Sequence, residues 1–317
     1  MSAGTVLIPG ARGYVGAHAV RAFLGAGWKV AVFGPAMRED LLADVADRIT
    51  DIEGSIEDEA ALAAALAEVR PDRIVSFAAF SQGVIGLARS GEADAGRAFA
   101  INAMGLHKLL EQCRQAGVRR VVWASSTVVL GPAARHPRQP VDEQAERRPN
   151  TVYGLTKTAA EQVAQYHRDR FGMDVAGVRL PLIFGPGCWY AGVAGQLVSL
   201  FRGAVEGTGG SLQGGTAPFD LMYVEDAARA FLEIARHPGA LSALYHVNGF
   251  TTTWRGILDE LGRRRPGLPL SFAEQEGGTD YPLIDTGLVA REVGFEPAFA
   301  LTAAIDAYLN FLAGEPR

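Results

Sequence analysis

A chain of 317 residues, 48% hydrophobic and 21% charged, has the makeup of a folded globular protein with core enough for one large or two small domains. Its net charge of −5 leaves no basic footprint for nucleic acid, and two cysteines, Cys113 and Cys188, exclude a disulfide framework and suit a reducing compartment. No apolar run approaches the length of about 18 residues that a membrane span needs, and the N-terminus runs into a strand without a leader, so a cytoplasmic protein with no membrane partner is expected.

In chain order, Thr5 to Pro9 reads as a short buried strand, followed by Gly10-Ala-Arg12-Gly13-Tyr14-Val15-Gly16 and a helical pattern reaching Phe23 and Leu24. In that strand–turn–helix context a GxxGxxG run points to dinucleotide binding. The glycines permit a tight turn and bring a pyrophosphate up to backbone N–H groups at a helix N-terminus. Lys29 to Phe33 is a second strand, Glu57 to Val69 a helix, and Arg73 to Phe77 a third strand ending at Ala78 and Ala79. A long helix is predicted over 99–116 and a strand over 118–124, ending in Ser125-Ser126-Thr127. Polar, proline-bearing Pro132 to Pro149 reads as a surface loop over the site. A helix from Thr151 to Arg170 and a strand from Val175 to Leu180 close the alternation, and past about residue 185 the rhythm breaks into glycine-rich loops. The fold expected is α/β: a Rossmann-type, doubly wound parallel sheet over 1–180. A smaller mixed α/β substrate domain follows over 181–317, with some segments returning to the main sheet.

Tyr153 and Lys157 stand at i and i+4 on one face of a predicted helix, and Lys157 is one of only three lysines, with Lys29 and Lys108. An ammonium beside a phenol pulls the tyrosine pKa down from its ordinary value of about 10, giving a proton donor and acceptor for chemistry at an alcohol or ketone. Taken alone, the pair reads equally well as a surface contact, and Ser126 alone reads as a strand-end serine serving the backbone. Six scattered histidines show no metal-ligand spacing, so no metal is expected.

These motifs, with Gly54-Ser55-Ile56-Glu57-Asp58, Asn102, Phe184-Gly-Pro-Gly187 and Asp220-Leu-Met-Tyr-Val-Glu-Asp226, resemble an extended short-chain dehydrogenase/reductase, the group that includes NAD-dependent epimerases and dehydratases. The resemblance covers nearly the whole chain. It implies Ser126, Tyr153 and Lys157 as the catalytic set: Ser126 bonded to the substrate oxygen, Tyr153 exchanging its proton, and Lys157 holding the nicotinamide ribose. It places the cofactor along Gly10, Arg12, Gly13, Tyr14, Val15 and Gly16, then Ser55 and Ile56, Ala78 and Ala79, Pro181 and Ile183, with Asn102 in indirect support. Substrate contacts are expected from Ser81, Gln82, Trp189 and Tyr190, or those aromatics instead pack the small domain. Family members often dimerise through two long helices, so a homodimer is a further expectation.

Two departures refine the reading. NAD users of the family end the second strand in an aspartate, whereas Gly34 stands here, and Arg12 and Arg38 are placed to grip a 2′-phosphate. NADP is therefore expected, with NAD as the alternative. Nucleotide-sugar members carry an arginine where Phe219 stands, another before the C-terminal helices, and an asparagine at the position of Leu182. No arginine occurs between Arg265 and Arg291. The function expected is hydride transfer between nicotinamide and a carbonyl or secondary alcohol of a small, non-nucleotide substrate. Nucleotide-sugar epimerisation is the alternative, unless a diphosphate clamp is rebuilt from elsewhere, for instance from Arg202. A non-catalytic nucleotide-sensing module is a third reading, against which the intact Ser126, Tyr153 and Lys157 set argues.

Overall fold

A computed structural model describes residues 3–37, 41–275 and 280–314. In chain order its strands are β1 (Thr5–Pro9), β2 (Lys29–Gly34), β3 (Ile49–Glu53), β4 (Arg73–Ser76), β5 (Arg120–Ser126), β6 (Asp174–Leu180), β7 (Leu182–Phe184), β8 (Gly210–Gly214), β9 (Phe219–Tyr223), β10 (Leu244–His246), β11 (Phe250–Thr252) and β12 (Leu270–Glu274). Its helices are α1 (Tyr14–Gly25), α2 (Glu59–Val69), α3 (Leu87–Ala93), α4 (Ala95–Phe99), α5 (Gly105–Gln115), α6 (Val152–Phe171), α7 (Val193–Glu206), α8 (Val224–Arg236), α9 (Trp254–Arg264), α10 (Gly287–Val293) and α11 (Leu301–Ala313).

The main sheet runs β10-β6-β5-β4-β1-β2-β3, and every pairing in it is parallel. Parallel strands are buried on both faces, which is why β1, β2 and β5 read as unbroken apolar runs. On one face α1 and α8 pack through Val20, Phe23, Ala230 and Phe231; on the other α2, α5 and α6 pack through Leu62, Leu109 and Ala160. The strand order reverses direction between β1 and β4, and the crevice opens where such a sheet places its ligands, beyond the carboxyl ends of the strands.

Chain beyond residue 181 serves both regions. Strand β10 pairs with β6, and α8 lies beside α1, so both belong to the main sheet and its cover. A three-stranded sheet, β11-β9-β7, and the pair β12-β8 form the smaller region. Its core joins Phe184, Phe201, Phe219, Trp254 and Tyr308.

Helix starts follow the capping chemistry. Asp58 accepts hydrogen bonds from the amides of Ala60 and Ala61 at 3.0 and 3.1 Å, so α2 begins two residues later than predicted. Thr151 likewise accepts from Gly154 at 3.0 Å and starts α6. Each such cap is worth about 1 kcal/mol. The single helix expected over 99–116 is instead three pieces: α4, capped by Asp94, a π-helical turn over Ala100–Met104, and α5. The strand expected over 118–124 begins only at Arg120, because Gly117, at φ +77°, and the Val118 amide close the end of α5. Strand β3 was not legible: it is an edge strand whose Thr50, Asp51 and Glu53 are exposed, and it lacks an apolar run.

Candidate active site

The crevice is a cavity of about 560 Å³ lined from the ends of β1, β2, β4, β5 and β6. At one end the glycine loop shapes it with backbone alone. Gly10 has φ +77°, and a Cβ there would lie 2.5 Å from the Ala78 nitrogen; a Cβ on Gly16 would lie 2.4 Å from the Gly10 carbonyl. No side chain other than hydrogen fits either position. Helix α1 begins at Gly13 with no side-chain cap, leaving its first amides to an anion. A cradle closed to Cβ atoms, in front of an uncapped helix of 12 residues, fits the pyrophosphate of a dinucleotide.

Along this end lie Arg12, Gly13, Tyr14, Val15, Ser55, Ile56, Ala78 and Ala79, all lining the crevice as the sequence suggested, together with Pro181 and Ile183. Arg12 donates to the Gly34 carbonyl at 2.8 Å and pairs with Asp51 of β3, an acidic partner the sequence reading did not foresee. Arg38 lies outside the described residues. Arg97 also reaches the crevice and is paired with Glu57 at 3.0 Å. Asn102 does not line the cavity. It is buried in the π-helical turn, where its carbonyl accepts from Phe80 at 2.8 Å and its amide donates to Thr156 at 2.9 Å, so it ties the strand β4 exit to α6.

At the other end Ser126, Tyr153 and Lys157 converge on the crevice. Ser126 faces Tyr153 across this end of the crevice, and its Oγ accepts from the Val128 amide at 3.4 Å. The Lys157 Nζ donates to the Ala124 carbonyl at 2.7 Å and lies 5.9 Å from the centre of the Tyr153 ring. The expected lowering of the Tyr153 pKa is not what this arrangement gives. Burial raises the hydroxyl well above the ordinary tyrosine value, Tyr190 adds to the rise, and the Ser126 hydroxyl works the other way. Burial also pushes the Lys157 ammonium down to about 8, opposed by the charge of Glu161. One of its three hydrogens goes to a backbone carbonyl, and burial is the largest influence on both groups.

Ser81, Trp189 and Tyr190 line this end as expected. Gln82 does not; it is exposed, and its backbone amide donates to the Ser90 Oγ at 2.8 Å. The sequence reading missed Phe219, Asp220, Tyr281 and Pro282. Asp220 accepts from Thr251 at 2.6 Å, Asn248 at 2.7 Å and the Ile284 amide at 2.9 Å, and so holds the segment carrying Tyr281 against β9. The signal that existed was faint: Asp220 opens a motif already singled out, but Tyr281 sits in an aperiodic stretch. Among the described residues the cations lining the crevice are Arg12, Arg97 and Lys157, and neither arginine is at the Tyr153 end; Arg202 does not line it. No group of three or more His, Cys, Asp or Glu among the described residues is placed to hold a metal.

The model of the NAD dependent epimerase/dehydratase family matches residues 6–248. The chain belongs to that family. The family is one of extended short-chain dehydrogenase/reductase type. Mitochondrial L-threonine 3-dehydrogenase of Sus scrofa is 29% identical over 73% of this chain, which spans 64% of that relative's length. The dTDP-4-dehydro-6-deoxy-D-allose reductase of Streptomyces bikiniensis is 28% identical over 92% of this chain and 91% of its own. Among solved structures, L-threonine dehydrogenase from Clostridium difficile superposes with a TM-score of 0.86 at 19% identity, covering 99% of both chains, a likeness of fold. No described helix is long and apolar enough to cross a membrane.

Proposed function

We propose that this member of the family is an NAD(P)-dependent dehydrogenase or reductase that acts on the carbonyl or secondary alcohol of a small, non-nucleotide substrate. The observation that carries the reading is the buried Tyr153 phenol, which shares with Ser126 and Lys157 one end of a crevice whose far end is a glycine cradle fit for a dinucleotide. A nicotinamide cofactor held there would supply or accept the hydride. Gly10, Gly13 and Gly16 would hold the pyrophosphate of such a cofactor, with Ser55 and Ile56 lining the same end of the crevice. A phenol that keeps its proton is a donor: Tyr153 protonates the carbonyl oxygen in reduction, Ser126 holds that oxygen, and Lys157 stabilises the phenolate left behind. Oxidation runs the same groups in reverse.

Among the described residues no arginine lines the Tyr153 end, which supports a substrate without a diphosphate, whose buried charge such a crevice leaves uncompensated. NADP is the preferred cofactor in this reading, since Arg12 lines the crevice beside Gly34 and a 2′-phosphate would take the place of its Asp51 partner. Exposed Met104, Leu155 and Tyr166 near and on the long helices support a homodimer, which sedimentation tests. The deciding experiment is a stoichiometric change of nicotinamide absorbance across a panel of small alcohols and carbonyls. Turnover without net cofactor change would instead mean epimerisation, and cofactor binding without turnover a sensing module. Arg12→Ala is expected to weaken NADP about tenfold or more relative to NAD; an unchanged ratio removes the NADP assignment.

A further inference from the structure

Tyr153, Lys157 and Glu161 stand at successive i+4 positions of α6, and the third of them is a carboxylate with no solvent exposure. Both of its oxygens are claimed. Ser125 donates to Oε1 at 2.7 Å, Arg179 donates to Oε1 and Oε2 at 2.8 Å each, and Arg147 reaches Oε2 from the loop before α6. Ser125 and Arg179 are direct partners across the β5–β6 pair, so the carboxylate ties the ends of both strands to the helix. The same strand end is gripped one residue earlier, where Lys157 donates to Ala124. Ser126 is the next residue along.

We propose that Glu161 is a positioning residue for the reaction: one buried carboxylate fixes the strand end that carries Ser126 and supplies the counter-charge that keeps Lys157 an ammonium. The charges around it make this specific. Lys157 shares the interior with Arg179 and, at the loop, Arg147; from β10 comes His246, held neutral by burial with its pKa down at about 3, and from the loop Glu143, whose carboxyl burial pushes up. Asn102 and Thr156, which meet in the next layer, carry no charge. Take away the Glu161 charge and Lys157 faces a net positive neighbourhood in a low-dielectric interior, where like charges disfavour the ionised form. Burial works to raise the Glu161 carboxyl, but the hydrogen bonds from Arg179 and Arg147 outweigh it and hold it ionised.

The inference rests on the reading of Lys157 as an active-site group, but its test needs no turnover. With three lysines in the chain, labelling lysine with carbon-13 at Cε gives three resonances, and in the cofactor-free protein the Lys157 signal is expected to titrate near 8. Glu161→Gln is expected to lower that midpoint by about one pH unit. Arg147→Gln, in a partly exposed loop residue, is expected to raise it, because a competing cation is gone. Ser125→Ala keeps the charge and is expected to leave the midpoint in place while lowering kcat about tenfold, with cofactor affinity unchanged. A midpoint unmoved by Glu161→Gln, or lowered by Arg147→Gln, overturns the charge linkage; an unchanged kcat in Ser125→Ala overturns the positioning. Should Glu161→Gln not fold, Arg147→Gln decides the linkage alone. If no substrate is ever turned over, the titration still stands or falls by itself, so the two readings fail separately.

Discussion

The two ends of the crevice are built in different ways. The cradle end comes from seven consecutive residues, Gly10 to Gly16, backed by Ala78, and at Gly10 and Gly16 backbone meets backbone at distances that admit no Cβ. The Tyr153 end is assembled from Ser126, Tyr153, Tyr190, Asp220 and Tyr281, five segments with no local relation, and its surface is side chain. A backbone-defined end tolerates little variation and binds what many proteins bind. A side-chain-defined end is free to change its chemistry without disturbing the sheet beneath, which is where a family of shared cofactor and diverse substrates places its differences.

The comparison breaks first at Tyr153. Tyr153→Phe is expected to lower kcat by roughly 10²- to 10⁴-fold while cofactor affinity stays near that of the wild type. A fully active variant removes the phenol from the chemistry. Next is the cradle: Gly16→Ala sets a Cβ against the Gly10 carbonyl and 2.8 Å from the Ala11 Cα, both backbone, and neither can move cheaply. Cofactor affinity measured by calorimetry is expected to fall at least about tenfold, roughly 1.4 kcal/mol; wild-type affinity refutes the backbone account of that end.

A pH series then sharpens it. Turnover is expected to decline as pH rises through about 8, where Lys157 loses its ammonium. The sign for folding is opposite. The folded value lies below the usual lysine value of about 10.4, so between the two the unfolded chain holds a proton that the folded chain does not, and this group's contribution to stability rises with pH. Circular dichroism over the same range therefore separates a catalytic loss from unfolding. The smallest effect is expected from Tyr281→Phe: a few-fold rise in substrate KM, about 1 kcal/mol, with cofactor affinity unchanged. If cofactor binding weakens instead, the division of the crevice into two ends is wrong.

Much of this was legible in the residues themselves. The strand–glycine–helix start, the parallel rhythm and the Tyr153/Lys157 spacing each follow from local rules of turn geometry and helical period, so β1, α1, β5 and α6 stand within two residues of where periodicity put them. What was not legible has a physical pattern. Their places in the chain put Gln82 at the substrate and Asn102 in indirect support of the cofactor. In the folded chain the Gln82 side chain is exposed and does not line the cavity, and Asn102 is held by bonds with Phe80 and Thr156, which lie far from it in sequence. Asp51 lies far in sequence from the Arg12 it pairs with, on an edge strand without an apolar signature.

The amino-acid order by itself determined a doubly wound α/β fold, a nucleotide cradle at its first turn and a tyrosine–lysine pair on one helix face, because each depends on residues close in the chain. The tertiary structure decided the protonation of that pair. The i+4 spacing sets the two groups side by side, but how much water each loses, which carbonyl takes the ammonium's hydrogens and which carboxylate opposes its charge depend on Ala124, Glu161, Arg179 and Tyr190, and distant parts of the chain meet there only once the sheet has closed.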